Sequence, residues 1–354
     1  MRAGSGEKRV GARWFRCCPL ALMLVAVFVL VVLLVSPRAD FPLNDDWVYA
    51  KAVRTLLNEG VYKGHPYMLA NPVVHIYAGA AIAKVWGFSY DGLRVWTLIL
   101  GLIAAWATAR SGREYGLGLL SAFLCGLLVM LNPIILNLSY TFMTDVPFLC
   151  FTSLAGLFFL KSFKECGARY VLVGTIFAVL AYMTRQFGLL LSAAYFATAL
   201  VFWVRRIYKV TWPKVFALVV PWVCVFAVMP IINAHREVGT SLSFESPGLG
   251  IVVATLRLIA VCLCYYGLFA SPLVVAILLV RLFGDHGRRR GVLVWCSLFF
   301  LGFMCLYWYK GVERMPTFLP NMIYDFGVGP VAVLPGMGWL GPLQIGRVWW
   351  LLTF

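Results

Sequence analysis

The sequence predicts an all-α polytopic membrane protein with about nine transmembrane helices. Composition is the first reason: 62% of the 354 residues are hydrophobic, only 12% are charged, and the mean hydropathy is +0.88. A soluble domain averages about 45–50% apolar and about 25% charged residues. Because a water-soluble protein would have to expose the excess apolar side chains, lipid is the expected solvent.

The pattern of apolar runs is the second reason. Short polar segments separate runs that are long enough to form helices. These runs cover residues 18–36, 73–88, 92–109, 116–136, 146–160, 170–184, 187–204, 213–232, 251–283 and 291–309. The first run follows a basic N-terminal segment and is longer than the apolar core of a signal peptide. We therefore expect an uncleaved anchor with a cytoplasmic N-terminus.

Basic residues orient these runs in the membrane. The formal net charge is +16, and the cations cluster at the N-terminus and within 110–113, 161–169, 205–214 and 281–290. Short loops rich in Lys and Arg are retained in the cytoplasm, so these segments are expected inside. No basic face forms outside them, and the sequence therefore predicts no nucleic-acid partner.

The first outer loop follows from this sidedness. The first helix leads outward and segment 110–113 lies inside, so a single crossing fits between residues 37 and 109. The run 92–109 is longer and cleaner than the run 73–88, which contains a histidine and a lysine. We therefore assign the crossing to 92–109 and expect 73–88 to form an interfacial helix within an outer loop, 37–91.

Two further segments are expected outside, residues 137–145 and a late outer loop at 310–345. The apolar runs favour one transmembrane domain over residues 1–354. The sequence ends in the aromatic and apolar run 349–354. Such a run is typical of the start of another hydrophobic segment, so a truncated C-terminus stays open as an interpretation.

Two adjacent carboxylates, Asp45 and Asp46, follow the first helix on the outer side. Ionised groups near lipid are costly unless they are paired or functional. Repulsion between neighbouring carboxylates can raise the pKa of one of them toward that of a useful general base. The alternative is an ordinary helix start, in which Asn44 caps the helix and both acids favour its positive dipole end.

The other polar candidates lie on the same outer side. Asp145 stands where a helix re-enters the membrane, and Arg185 lies in a short turn between two membrane helices. A cation at the edge of a cavity could hold a phosphate, and Lys310 and Arg314 offer two more. Capping for Asp145 and contact with lipid phosphates for Arg185 are the alternatives.

These motifs together resemble a known family. The segment 44–50 resembles the Asp-Glu-x-x-Tyr-Ala element of polyprenol-dependent glycosyltransferases with the GT-C fold, above all the protein O-mannosyltransferase and aminoarabinose transferase families. Those families have a second aspartate at a helix start, as at Asp145, one hundred residues after Asp45. The segment 183–185, Met-Thr-Arg, is similar to their Met-Thr-Lys. The resemblance extends over roughly residues 20–210.

The resemblance implies a GT-C-like helical bundle and assigns roles to the acidic residues. Asp45 becomes the catalytic base, Asp46 supports it or a metal, and Asp145 is the second acidic site. Arg185 takes the role of the family's lysine on the lipid phosphate. The residues expected to line the substrate are Tyr49, His65 and Asn71. Related enzymes often have an acid or a histidine shortly before the proline that starts the next helix, but residues 68–71, which precede Pro72, have neither. Whether a divalent metal binds therefore stays open.

The predicted function is transfer of a sugar from a polyprenyl phosphate to a hydroxyl or amine on the outer face, with inversion. The acceptor would be a lipid, a glycan or a protein. We expect the bacterial inner membrane, with a site that faces the periplasm or exterior. A transporter or flippase of a lipid-linked substrate is the main alternative, and an inactive glycosyltransferase fragment is another.

Overall fold

A computed structural model describes residues 18–234, apart from residues 39, 44, 66, 69 and 70, together with residues 323–324 and 327–328. The described part of the chain is almost wholly helical. Its helices are α1 (Cys18–Leu34), α2 (Asp46–Glu59), α3 (Val73–Trp86), α4 (Tyr90–Glu114), α5 (Leu119–Met130), α6 (Pro133–Ser139), α7 (Asp145–Glu165), α8 (Ala168–Tyr182), a 3₁₀ turn (Gln186–Gly188), α9 (Leu189–Val204) and α10 (Trp212–Asn233).

Two strands of two residues each, β1 (Ile323–Tyr324) and β2 (Gly327–Val328), form an antiparallel pair. They belong to a different compact unit of the chain from the helices. The sequence predicted helices alone, and it gave no signal for this pair. Nearly all of the late outer loop, 310–345, lies outside the described residues.

Among the described residues, four helical segments are long and apolar enough to cross a membrane: α4, α7, α10 and the 3₁₀ turn continued by α9. The shorter apolar helices are α1, α3, α5 and α8. The chain is thus an integral membrane protein of helical type, as predicted. The count of about nine crossings depends on the runs 251–283 and 291–309, which lie outside the described residues.

The first outer loop contains two helices, α2 and α3, which pack on each other, and α3 also packs on α4. Helix α2 ends at Gly60, whose left-handed backbone (φ 72°) lets its N–H bond to the Leu56 carbonyl. This is a common helix stop, because glycine adopts that conformation without steric cost. Buried apolar side chains join both helices to Phe142, in the second outer segment. The interfacial position of these helices stays a prediction.

The remaining helices bring two polar segments to the same end of the bundle. Helix α7 begins at Asp145, and α8 packs along it. Helix α8 ends at Tyr182, three residues before Arg185. A sharp turn follows, because a Cβ atom at Gly188 would lie 2.1 Å from the backbone nitrogen of Tyr182. Only glycine permits this approach, which holds the 3₁₀ turn against the end of α8.

Candidate functional site

The centre of the candidate site is Arg185, which joins the end of α8 to the start of α7. Its Nη2 donates to Oδ2 of Asp145 at 2.8 Å, and its Nε donates to Oγ1 of Thr144 at 2.9 Å. The side chains of Arg185 and Asp145 are each 32% exposed, so the pair lies at the edge of the bundle. The structure therefore brings together two residues that the sequence placed on one face, and it adds Thr144.

Tyr49 of α2 belongs to the same cluster. A side-chain hydrogen bond links it to Thr144, and the charges of Arg185, Asp145 and Asp45 all act on its phenol. Burial raises the pKa of Tyr49 above its usual value of 10.0, so the hydroxyl stays protonated at neutral pH. Tyr49 thus connects the first outer loop to the Arg185 pair.

Asp45 and Asp46 have different surroundings although they are neighbours. Asp45 is exposed in the turn that precedes α2, and its side chain makes no capping hydrogen bond. Asp46 is fully buried and accepts hydrogen bonds from the backbone N–H groups of Leu43 at 3.1 Å and Phe142 at 3.4 Å. Asp45 is thus exposed to solvent, whereas the contacts of Asp46 fix the segment at 43 to the segment at 142.

His75 of α3 also contacts Phe142, which lies in the segment 137–145. Its Nε2 lies 3.3 Å from the carbonyl oxygen of Phe142, and its ring stacks on the Phe142 ring with centroids 3.8 Å apart. Complete burial lowers the pKa of His75 to about 3, so the imidazole is neutral and Nε2–H can donate. Asp46 and His75 together bind the backbone N–H and the carbonyl oxygen of Phe142, which lies three residues before Asp145.

Arg94 is a buried cation that we did not single out from the sequence. Its guanidinium donates to the carbonyl oxygens of Pro37, at 3.1 Å, and Phe41, and it contacts Oδ1 of Asp91 at 3.3 Å. These bonds attach the segment before Asp45 to α4. A charged residue inside an apolar run was the signal that could have identified it.

The other residues expected to line the substrate make contacts within the first outer loop. Asn71 is buried and accepts a hydrogen bond from the Tyr62 hydroxyl at 2.6 Å. His65 packs edge-on against Trp47, with ring centroids 5.4 Å apart. Their roles toward a substrate stay predictions. Lys310 and Arg314 lie outside the described residues.

Within residues 18–234, as far as they are described, no three His, Cys, Asp or Glu side chains gather as a metal site. Both oxygens of Asp46 accept backbone N–H bonds, and Asp145 is paired with Arg185. Among the described residues, Asp46 and Asp145 thus do not converge as the several oxygen ligands that a divalent metal prefers, and a bound metal stays a prediction. No step of the mechanism below is therefore assigned to a metal.

Comparison with family models gives one match, over part of the chain. Residues 70–231 match the family model described as dolichyl-phosphate-mannose-protein mannosyltransferase, which is a GT-C family. Searches of curated proteins and of solved structures give no significant match. The matched segment includes Asp145, Thr144 and Arg185, and it supports the resemblance seen there; the acidic segment 44–50 lies outside it. Over residues 70–231 the chain is therefore similar to this family of membrane glycosyltransferases of the GT-C type.

Proposed function

We propose that the protein transfers a sugar from a polyprenyl-phosphate donor to a hydroxyl or amine of a lipid, glycan or protein acceptor. Transfer takes place on the outer face of the membrane and inverts the anomeric centre. We place the protein in a bacterial inner membrane, with the site toward the periplasm or exterior. The observation that supports this best is the convergence of Arg185, Asp145 and Thr144 with Tyr49 and Asp45.

Arg185 is suited to hold the donor phosphate. A guanidinium has five N–H donors in a fixed plane. The bonds to Thr144 and Asp145 use one donor on Nε and one on Nη2, and the side chain is 32% exposed. The remaining donors can therefore bind phosphate oxygens while the ion pair keeps the guanidinium in place.

The chemical step is a single displacement. The acceptor oxygen or nitrogen attacks the anomeric carbon, and the bond from that carbon to the phosphate oxygen breaks. The leaving phosphate takes the bonding electrons, and Arg185 stabilises its charge. Asp45, which is exposed beside the cluster, accepts the proton that the acceptor loses. Attack from the face opposite the phosphate gives inversion.

The distribution of acids favours this function over transport. In the four candidate crossings that the structure describes, each acidic residue lies near a helix end: Asp91, Glu114, Asp145 and Glu165. A transporter typically has its binding groups near the middle of the membrane. Within these helices no acid lies near the middle.

The test is sugar transfer by the purified full chain from a panel of polyprenyl-phosphate hexoses and pentoses. Asp45→Asn keeps the shape of the side chain and removes the base, so we expect transfer to fall by about a hundredfold or more, the usual range for a general base. Glu59→Gln is the matched control, because Glu59 is an exposed acid at the other end of the same helix, paired with Lys63.

Unchanged transfer by Asp45→Asn would remove Asp45 as the base. If the wild type transferred none of the sugars while it remained folded, the proposed activity would be wrong and the inactive-fragment alternative would be favoured. A loss in Glu59→Gln as large as that in Asp45→Asn would show that the effect is one of general surface charge.

A further inference from the structure

An apolar cavity lies where α9 ends and α10 begins. Its volume is about 450 Å³, within the range of small-molecule sites. The lining is almost wholly aromatic and aliphatic: Tyr195, Phe196, Ala199, Leu200, Trp203 and Tyr208 on one side, and residues 210–219 on the other. An apolar cavity of this size, open along a membrane helix, can accept a hydrocarbon chain.

One cation lines this apolar space. Lys214 is only 6% exposed, and its ammonium donates to the carbonyl oxygen of Lys209 at 2.6 Å. The same ammonium lies 3.9 Å from the centre of the Tyr208 ring, a favourable cation–π contact. The Tyr208 hydroxyl in turn pairs with that of Tyr195 at 3.0 Å. The cavity therefore has a polar end, fixed by several contacts.

The polar end is surrounded by further positive charge. Arg205, Arg206 and Lys209 are exposed in the segment that connects α9 to α10. Trp203 and Trp212 flank this segment and are 54% and 75% exposed. Exposed tryptophans beside basic residues are typical of the membrane–water interface. Basic pockets between membrane helices at this level are suited to anionic lipid head groups.

This cavity is separate from the Arg185 site. Helix α9 starts beside the turn that holds Arg185 and ends at Val204, next to Arg205. Its 16 residues extend for about 24 Å at 1.5 Å per residue. A lipid phosphate at Lys214 therefore cannot also contact Arg185, and the cavity is not part of the site for the reacting phosphate.

We infer that this cavity binds an anionic phospholipid of the leaflet at the Arg205 end. One acyl chain occupies the apolar space between α9 and α10. The phosphate lies against Arg205, Arg206 and Lys209, with Lys214 at the inner edge of the polar end. The inference is independent of the proposed transfer reaction, because it rests on a different end of the helices.

Photolabelling of the full chain in lipid nanodiscs tests the inference. The probes are phosphatidylglycerol and phosphatidylcholine with the same diazirine-bearing acyl chain, and mass spectrometry locates the adducts. We expect adducts within residues 195–219, with a yield several-fold higher from phosphatidylglycerol. Unlabelled phosphatidylglycerol should displace the label.

Matched variants separate the head-group and chain contributions. Arg205→Gln should reduce the preference for phosphatidylglycerol by about fivefold at low salt, the contribution of one cation near a membrane surface. Arg169→Gln is its control, because Arg169 is a 77% exposed cation at the start of α8. Leu200→Trp fills the cavity and should reduce labelling with both lipids. Leu190→Trp, on an exposed part of the same helix outside the lining, should not.

Three results would overturn the inference. Equal labelling by the two lipids would exclude a head-group site. Labelling that Arg205→Gln and Leu200→Trp leave unchanged would place the lipid elsewhere. Displacement by a polyprenyl phosphate but not by phosphatidylglycerol would mean that the occupant is the isoprenoid lipid instead.

Discussion

Replacing Thr144 by valine removes one hydroxyl group and keeps the branched shape of the side chain. Thr144 is fully buried. Its hydroxyl accepts a hydrogen bond from Nε of Arg185 at 2.9 Å and makes a second hydrogen bond with the side chain of Tyr49. The residue touches no reacting atom in the proposed mechanism. It acts through Arg185, as a positioning residue, so its loss should change the orientation of the guanidinium.

The magnitude follows from these two bonds. A hydrogen bond to a charged group contributes about 1.5–3 kcal/mol, and one between neutral groups contributes about 0.5–1.5 kcal/mol. Water can reach Arg185, which is 32% exposed, so the lower end of the first range applies. We expect Thr144→Val to reduce the free energy of unfolding by about 2 kcal/mol. If the guanidinium loses its fixed orientation, kcat/KM should fall about ten- to hundredfold.

The assay combines thermal unfolding in detergent with sugar transfer from the lipid-phosphate donor. Thr144→Ser is the conservative control, because it keeps the hydroxyl group and should stay within a few-fold of the wild type. Arg185→Lys supplies the second control. Lysine has no counterpart of the Nε–H group by which Arg185 bonds to Thr144. Thr144→Val should therefore have little further effect on transfer in the Arg185→Lys variant.

Two results would refute the reasoning. Wild-type stability and transfer in Thr144→Val would show that the hydroxyl does not position Arg185. An equal loss in the wild-type and Arg185→Lys backgrounds would show that Thr144 acts by another route, because residues coupled through one contact are not additive.

The remaining predictions concern the support of the site. Because the pKa of His75 is lowered from 6.5 to about 3, the unfolded chain binds a proton between these pH values and the native chain does not. The free energy of unfolding should therefore rise with pH across this window, by up to about 1.4 kcal/mol per pH unit from this group. His75→Phe should lose this pH dependence, whereas His65→Phe should keep it. An unchanged pH dependence in His75→Phe would contradict the assignment. Gly188→Ala places a Cβ atom 2.1 Å from the Tyr182 nitrogen and should lower both the unfolding temperature and transfer. Gly156→Ala, where no atom lies within 4 Å, is its control, and equal stability of the two variants would be the contrary result.

The acidic pair shows where sequence reasoning stopped. The sequence identified Asp45 and Asp46 as a notable pair, and the family resemblance implied a base at Asp45 and a support for it, or for a metal, at Asp46. In the structure one is exposed and the other is fully buried against backbone N–H groups. Successive residues of a helix point about 100° apart, so neighbours at its start meet different surroundings. Which of them faces the core depends on how α2 packs, and that is not a local property.

The Arg185 cluster shows the same limit at longer range. Sidedness placed Asp145 and Arg185 on one face, and the structure joins them directly. No sequence pattern indicated that Thr144 would connect Arg185 to Tyr49, or that Asp46 and His75 would both contact the backbone of Phe142. These partners are 41 to 96 residues apart in the chain, where no periodic pattern relates them.

The sequence by itself indicated that this protein is embedded in lipid, that residues 18–234 are largely helical, and that its motifs resemble those of GT-C glycosyltransferases. Composition fixes the solvent, and apolar runs of helix length fix the secondary structure, because lipid requires every backbone polar group to be bonded internally. The tertiary structure alone decided which polar side chains meet. Buried hydrogen bonds and ion pairs form between atoms a few ångströms apart, and that proximity results from helix packing rather than from the order of residues.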